Sequence, residues 1–261
     1  MRLPLLLLCA CLAVQSKAEF RPKFQKFDKI SVGCKVQTEV KASNGRDSKY
    51  ELDLEFSAEV DKAEGESAEF DCGVNLLRIK GTLDGKPVDY EWRKGGQEKG
   101  SKIASIQKGL EKGWKVTLGK KGISVNDSAN EFGDVLPILN PGIFLGFSVP
   151  PPFDAVAVGK GWDLKGQAFP LFNGFSVRHQ AELDLVKGDT AKVSARLSYS
   201  KAESEIPIEG VVNVKGEGNA SMEYDLKAGR PVKGATSLSL SATMGGLKRD
   251  VTQVIEFEVR R

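Results

Sequence analysis

Apolar and polar residues alternate with a period of two along most of the chain. Residues 50–56, with the sequence YELDLEF, place apolar side chains on one face of a strand and carboxylates on the other. Similar segments recur at residues 114–118, 193–199, 238–242 and 255–259. Because parallel sheets need continuous apolar strands and helical crossovers, this alternation predicts antiparallel sheets with one solvated face.

Turn-forming residues separate these segments at hairpin spacing, and each turn has a residue that adopts a positive φ easily. The turns include Asn44-Gly45, Asp84-Gly85, Lys120-Lys121-Gly122, Lys187-Gly188-Asp189, Ala228-Gly229 and Gly245-Gly246. Together the patterns predict an all-β fold, a strongly curved antiparallel sheet of roughly 10 to 12 strands that forms an open or half barrel. The predicted inward side chains are Leu52, Leu54, Phe56, Trp114, Val116, Val193, Leu197, Tyr199, Leu238, Leu240 and Phe257.

Two halves of the chain, residues 19–133 and 154–261, resemble each other weakly. Val32-Gly33 has a counterpart in Val158-Gly159, and the acidic stretch that includes Ala68 resembles the one that includes Ala191, 123 residues later. A duplicated β-unit gives such fixed offsets, and so does the repeated use of the same hairpin residues by unrelated strands. The sequence leaves both explanations open.

The connector, residues 134–153, breaks the pattern. Its five prolines exclude a long helix or a central strand, so we expect a short helix or two helical turns around residues 135–147, followed by an extended polyproline stretch. A segment this apolar must pack somewhere, either as a plug that closes the sheet or as a lid over an apolar cavity. The candidate ligand or lid residues are Ile138, Leu139, Ile143, Phe144, Leu145, Phe147, Phe153 and, just beyond the connector, Trp162.

The first 18 residues have the anatomy of a signal peptide. Arg2 precedes an apolar run that ends before Ser16-Lys17-Ala18, a small-x-small cleavage signature, and the run is too short to span a bilayer. We expect cleavage near Ala18 and a secreted or periplasmic mature protein, residues 19–261, that is a single β-rich domain without a transmembrane anchor. The alternative is lipoprotein processing at Cys11, whose preceding residues loosely resemble the bacterial signal.

Loss of this leader would leave Cys34 and Cys72 as the remaining cysteines. In an oxidising compartment such a pair predicts a disulfide, and the alternative is two buried thiols. Asn126 and Asn219 begin glycosylation motifs, which matter in a eukaryotic source and mark turns in a bacterial one.

Charge and composition exclude several kinds of function. Without the leader's Arg2 and Lys17, the chain has 36 basic and 35 acidic residues, well interspersed, which argues against nucleic acid or an anionic membrane held by bulk electrostatics. His179 is the single histidine, so a histidine metal cluster is excluded and we expect no catalytic role for it. Gly216-Glu217-Gly218 lacks the context of a phosphate loop and is expected to be a turn or bulge. The sequence thus predicts no catalytic, metal or cofactor-binding residue.

Two late motifs resemble those of a family of uncharacterised secreted bacterial proteins. They are the strand start Val158-Gly159-Lys160-Gly161-Trp162 and the stretch of residues 216–229. The resemblance implies no particular activity. At the level of the fold, the layout is similar to lipoprotein carriers, whose open barrels hold acyl chains.

These observations predict a non-catalytic extracytoplasmic protein that binds, on its concave face, a lipid or other apolar small molecule or an envelope protein. The alternative is an extracytoplasmic hydrolase whose acidic groups are scattered carboxylates without a recognisable motif.

Overall fold

The structure is a computed structural model that describes residues 16–65, 67–96, 99–100, 110, 113–119, 122–125, 145–152, 154–167, 175–201, 211–244 and 246–260. It is all-β, with large antiparallel sheets that are not closed into a barrel, which confirms the predicted fold class. The strands are β1 (Lys17–Glu19), β2 (Lys29–Ala42), β3 (Ser48–Glu64), β4 (Ser67–Leu83), β5 (Lys86–Arg93), β6 (Lys99–Gly100), β7 (Trp114–Gly119), β8 (Gly122–Val125), β9 (Ala155–Ala157), β10 (Gly161–Gln167), β11 (Phe175–Lys187), β12 (Thr190–Lys201), β13 (Val211–Asp225), β14 (Arg230–Met244) and β15 (Leu247–Arg260).

Within the described residues, thirteen strands form one sheet in the order β10-β11-β12-β13-β14-β15-β2-β3-β4-β5-β6, while β7 pairs with β4 and β8. Most neighbours are consecutive in sequence, as expected from the turn signals. Two pairings are exceptions, that of β7 with β4 and that of β15 with β2. The second runs from Arg249 opposite Ala42 to Arg260 opposite Ser31. The last strand of the chain therefore joins the two meanders into a single sheet.

The alternation of residue types decides which face of the sheet is buried. All eleven side chains predicted to point inward are buried, at no more than 5% exposure. Their polar neighbours lie on the opposite face, so each long strand has one apolar side and one solvated side. We call these the inner face and the polar face.

Glycines on the inner face let neighbouring strands approach closely. Gly216 and Gly218 lie inside β13, which corrects the expectation that they form a turn or bulge. A Cβ on Gly218 would stand 2.2 Å from the carbonyl oxygen of Ser237 on β14, so only glycine fits there. An irregularity in the pairing of β13 with β14 lies nearby instead, where the register shifts between Val212 and Lys215.

The β3-β4 and β11-β12 hairpins carry bulges at equivalent places. Asp61 is the extra residue where β3 meets β4, and Asp184 is the extra residue where β11 meets β12. These positions are 123 residues apart, the same offset that separates Ala68 from Ala191. The weak recurrence in the sequence therefore has a structural counterpart in both halves, although duplication stays a prediction.

The described part of the connector packs as a plug. Leu145, Phe147 and Val149 are fully buried. The ring of Phe147 lies 6.2 Å from that of Tyr224 on the inner face of β13. Five of the candidate lid residues, Ile138, Leu139, Ile143, Phe144 and Phe153, and the predicted helical turns before residue 145 lie outside the described residues.

Residues 16–28 cross one end of the sheet. Strand β1 pairs with β9, with Ala18 opposite Val156, and Ala18 is itself buried. Phe20, also buried, packs edge-on against Tyr224 at 5.2 Å. Cleavage after Ala18, which stays a prediction, would divide β1 and leave the segment from Glu19 onward in place.

The disulfide prediction is wrong, because both cysteines are free and buried. Cys34 on β2 lies opposite Leu54 of β3, whereas Cys72 on β4 lies opposite Ala58. The two residues are thus separated by two strand spacings, about 10 Å, and by four positions along β3, about 13 Å. A disulfide needs Cα atoms within about 7 Å. The alternative of two buried thiols is the one the structure supports.

Candidate functional site

Charges on the polar face change sign from strand to strand. Across the middle of the sheet, each long strand presents mainly one sign of charge to solvent. In sheet order the residues are Lys192 and Arg196 on β12, Glu217 and Glu223 on β13, Lys233 on β14, Glu256 and Glu258 on β15, Lys35 on β2, Asp53 and Glu55 on β3, Arg78 and Lys80 on β4, and Asp89 and Glu91 on β5. Because opposite charges face each other across neighbouring strands, this pattern stabilises the observed strand order.

A trough with a volume of about 850 Å³ lies across the polar face. Asp184 and Lys192 border it on one side and Arg78 on the other, and the carboxylates of Glu256 and Glu258 line its middle. We call this cavity the charged trough. Its volume is within the range of small-molecule binding sites, and all of its walls are strands of one sheet.

Small residues form part of the trough floor. Gly33 on β2, Ser221 on β13 and Ala235 on β14 all line the cavity. Because they present little or no side chain, the charged side chains around them stand above the backbone. A Cβ on Gly33 would lie 3.1 Å from Nη2 of Arg260, so the guanidinium covers this bare position.

Two ion-pair clusters hold the charged walls in place. Nη1 of Arg260 lies 3.2 Å from Oε1 of Glu55. Glu223 lies between two lysines, with its carboxylate oxygens 3.3 Å from Nζ of Lys192 and 3.4 Å from Nζ of Lys233. Desolvation opposes ionisation of Glu223, but hydrogen bonds from these lysines outweigh it and lower the pKa of this carboxyl. Glu223 is therefore a carboxylate that links three strands.

The other carboxylates with clearly shifted pKa values are also ion-paired. Asp163 accepts hydrogen bonds from Arg178 on the neighbouring strand, and these lower its pKa.

Lys115 lies within 3.4 Å of three carboxylates, those of Asp61, Glu69 and Asp71. Because a lysine already fills that cluster, it resembles an ion-pair network more than a metal site. In the described part of the chain, no group of three or more histidine, cysteine or acidic residues is arranged to hold a metal ion.

The inner face carries a few polar groups. His179 on β11 is 2% exposed, and burial lowers its pKa to about 4 although Asp163 acts in the opposite direction. Its imidazole is therefore neutral at pH 7. Gln253 donates a 3.1 Å hydrogen bond to Thr38 between the two strands that join the halves. These groups lie on the opposite face of the sheet from the charged trough.

The predicted site residues that the structure describes do not form the trough. Trp162 packs against Phe20 at 5.8 Å, and its indole nitrogen donates a 3.1 Å hydrogen bond to the carbonyl oxygen of Pro150. Together with Leu145 and Phe147 it belongs to the packing at one end of the inner face. Asn219 is exposed on β13, whereas Asn126 lies outside the described residues.

Sequence reasoning missed the trough, although the signal was present in the segments themselves. The acidic run Glu51, Asp53 and Glu55, taken by itself, indicates only that one face of its strand is solvated. Comparison of the sign of charge on successive alternating segments would have revealed these stripes, that is, the change of sign from one strand to the next. Their concave arrangement depends on the strand order, which the local pattern does not specify.

Comparison with known proteins adds no assignment, because no protein-family model matches the chain and no curated protein matches it significantly. In the residues that the structure describes, there is no helical segment with the length and apolarity to cross a membrane.

Proposed function

We propose that the protein is a non-catalytic, extracytoplasmic binding protein and that the charged trough holds its partner. The observation that carries this proposal is a cavity of about 850 Å³ whose walls are charged side chains on paired strands. Sites of this volume accommodate a small molecule or a short peptide segment. Side chains on paired strands are held more rigidly than those on loops, which lowers the entropic cost of binding.

The charges of the trough favour a partner that carries both signs of charge. Glu256 and Glu258 give β15 an acidic stripe, and Lys35 and Arg260 place cations beside it over β2. A purely cationic or purely anionic partner would meet repulsion from half of these groups. A zwitterionic molecule or a peptide of mixed charge pairs with both stripes.

The apolar-ligand and hydrolase predictions receive less support. On the inner face, the described connector residues occupy the apolar surface next to Tyr224. Among the described carboxylates, those with a clearly shifted pKa are shifted downward, as for Glu223 and Asp163. A general acid needs a pKa raised toward neutrality, so these shifts favour structural ion pairs.

The proposal is tested with defined probes in an equilibrium titration at low salt. The probes are an alternating Glu-Lys hexapeptide, hexaglutamate, hexalysine and dodecanoate. We expect the mixed-charge peptide to bind most tightly. Preferential binding of dodecanoate, or equal binding of all three peptides, contradicts the proposal.

Charge-neutral variants locate the binding. Replacing Glu256→Gln and Glu258→Gln together removes the acidic stripe, and we expect the affinity for the mixed-charge peptide to fall about tenfold. Glu39→Gln is the matched control, since it removes an exposed carboxylate from β2 outside the trough. Equal effects of both changes would place the binding elsewhere.

A further inference from the structure

One exposed aromatic residue stands out at the end of the sheet where β2 begins. Phe27 is 68% exposed, well above the exposed aliphatic residues Leu185, at 46%, and Val254, at 41%. Its φ is 71°, in the left-handed region that a bulky side chain rarely adopts. Because the ring is exposed, its burial does not offset the cost of this strained backbone conformation. The stability of the fold therefore does not explain why a phenylalanine stands at this position.

Hydrogen bonds hold this ring outward. The amide of Phe27 donates a 2.9 Å hydrogen bond to the carbonyl oxygen of Val60. In return, the amide of Val60 donates a 2.9 Å hydrogen bond to the carbonyl oxygen of Asp28. The Asp28 carboxylate accepts a 2.7 Å hydrogen bond from the amide of Gln25. The turn is thus fixed on both sides against β3, and Phe27 projects from a rigid base.

The residues around Phe27 are strongly basic. We call residues 20–29 the basic strap; it contains four cations, Arg21, Lys23, Lys26 and Lys29, and one carboxylate, for a net charge of +3. Nζ of Lys26 lies 5.1 Å from the centre of the Phe27 ring. The two other aromatic residues of the strap, Phe20 and Phe24, pack inward, and Phe24 meets Phe70 edge-on at 4.9 Å.

Neighbouring carboxylates pair with two of the four cations of the strap. Arg21 lies 2.5 Å from Glu19, and Lys29 lies 3.2 Å from Glu59. The positive charge at the exposed end of the strap therefore comes from Lys23 and Lys26, of which Lys26 lies beside the projecting ring of Phe27. This combination differs from the near-neutral balance of the chain as a whole.

We infer that the basic strap is a contact site for an anionic lipid surface, with Phe27 inserted at the interface. Transfer of an aromatic ring from water to the headgroup region of a membrane is favourable, and the flanking lysines are attracted to anionic lipids. This contact is reversible, because one ring and a few lysines give only modest affinity. It is independent of the charged trough, which lies across the middle of the sheet.

Vesicle co-sedimentation of the full exported chain tests the inference. The probes are phosphatidylcholine vesicles with and without one-third phosphatidylglycerol, at low and at high salt. We expect binding to the anionic vesicles at low salt and loss of that binding at high salt, because salt screens the attraction. No binding to anionic vesicles, or equal binding to both compositions, overturns the inference.

Substitutions separate a lipid contact from a structural role. Phe27→Asn removes the ring and accepts the left-handed conformation, so we expect about tenfold weaker vesicle binding with an unfolding midpoint that is unchanged or higher. Phe27→Tyr keeps an interfacial ring and retains binding. Val254→Asn changes another exposed apolar residue, on β15, and leaves binding unchanged. Equal binding by Phe27→Asn and the natural chain, or equal losses in the Phe27→Asn and Val254→Asn variants, contradicts the assignment.

Discussion

The hydroxyl of Ser148 donates a 2.6 Å hydrogen bond to the carbonyl oxygen of Ser221, which fixes the connector against the inner face of β13. Gly234 on the neighbouring strand makes this approach feasible. A Cβ at that position would stand 2.7 Å from the Ser148 hydroxyl and 2.5 Å from the ring of Phe257. The plug therefore depends on the absence of one side chain.

Gly234→Val is expected to destabilise the protein by about 1 to 3 kcal/mol, because the new side chain must displace the connector or the Phe257 ring. Urea unfolding measures the change. Gly73→Ala is the control, since a Cβ there meets nothing within 4 Å and the backbone needs no positive φ. We expect the control to be neutral or slightly stabilising. Equal losses in both variants would contradict the packing described for the plug.

The stability of the protein should fall as the pH drops from about 6.5 to about 4. His179 has a folded-state pKa of about 4, below its ordinary value of 6.5, so the unfolded chain takes up its proton first. The stability that neutral His179 contributes is present above pH 6.5 and is lost as the pH falls through 4, by up to about 3 kcal/mol.

Denaturant unfolding of the natural chain and of His179→Gln across this pH range measures the effect. The variant lacks the titrating group, so its stability should depend less on pH between 4 and 6.5. Carboxylates that do not interact with His179, such as Glu223, titrate in both proteins and cancel in the difference. Parallel pH profiles would show that the imidazole is not buried in its neutral form.

Cys34 and Cys72 should both be free thiols in the folded protein. Burial raises the pKa of each thiol well above its ordinary value, so both should react slowly with alkylating reagents in the folded state. After denaturation without reductant, mass spectrometry should detect two alkylated cysteines. An intact, unalkylated pair would contradict the strand order β2-β3-β4.

Reversal of one charge in the stripes should weaken strand pairing. Lys35 lies opposite Glu256 on β15 and opposite Asp53 on β3. Lys35→Glu brings like charges together on both sides, with an expected cost of about 1 kcal/mol that decreases at high salt. Lys35→Gln should cost less in urea unfolding. Identical, salt-independent losses would argue that the stripes do not stabilise the strand order.

Local sequence was sufficient to predict the fold class and the buried face. The period-two pattern places Leu52, Leu54 and Phe56 on one side of β3 in any antiparallel arrangement, because strand geometry alone decides it. Turn glycines such as Gly45 and Gly188 do adopt positive φ. These features depend on neighbouring residues and are therefore readable from the chain.

Features that depend on the order of strands were not predictable in this way. The disulfide prediction is wrong because β3 lies between the strands of Cys34 and Cys72, and the number of cysteines gives no information on strand order. The charged trough depends on the pairing of β15 with β2, two strands at opposite ends of the chain. Phe27 carries no sequence signal for its positive φ, since glycine or asparagine is usual there.

The central functional claim is that the polar face, and not the apolar interior, holds the partner. Native mass spectrometry of the protein purified from its own compartment, combined with lipid extraction, tests this most directly. We expect no stoichiometric lipid inside the protein, and a polar, salt-sensitive ligand that is lost from the Glu256→Gln, Glu258→Gln variant. A stoichiometric acyl-chain ligand that survives high salt and remains in that variant would contradict it.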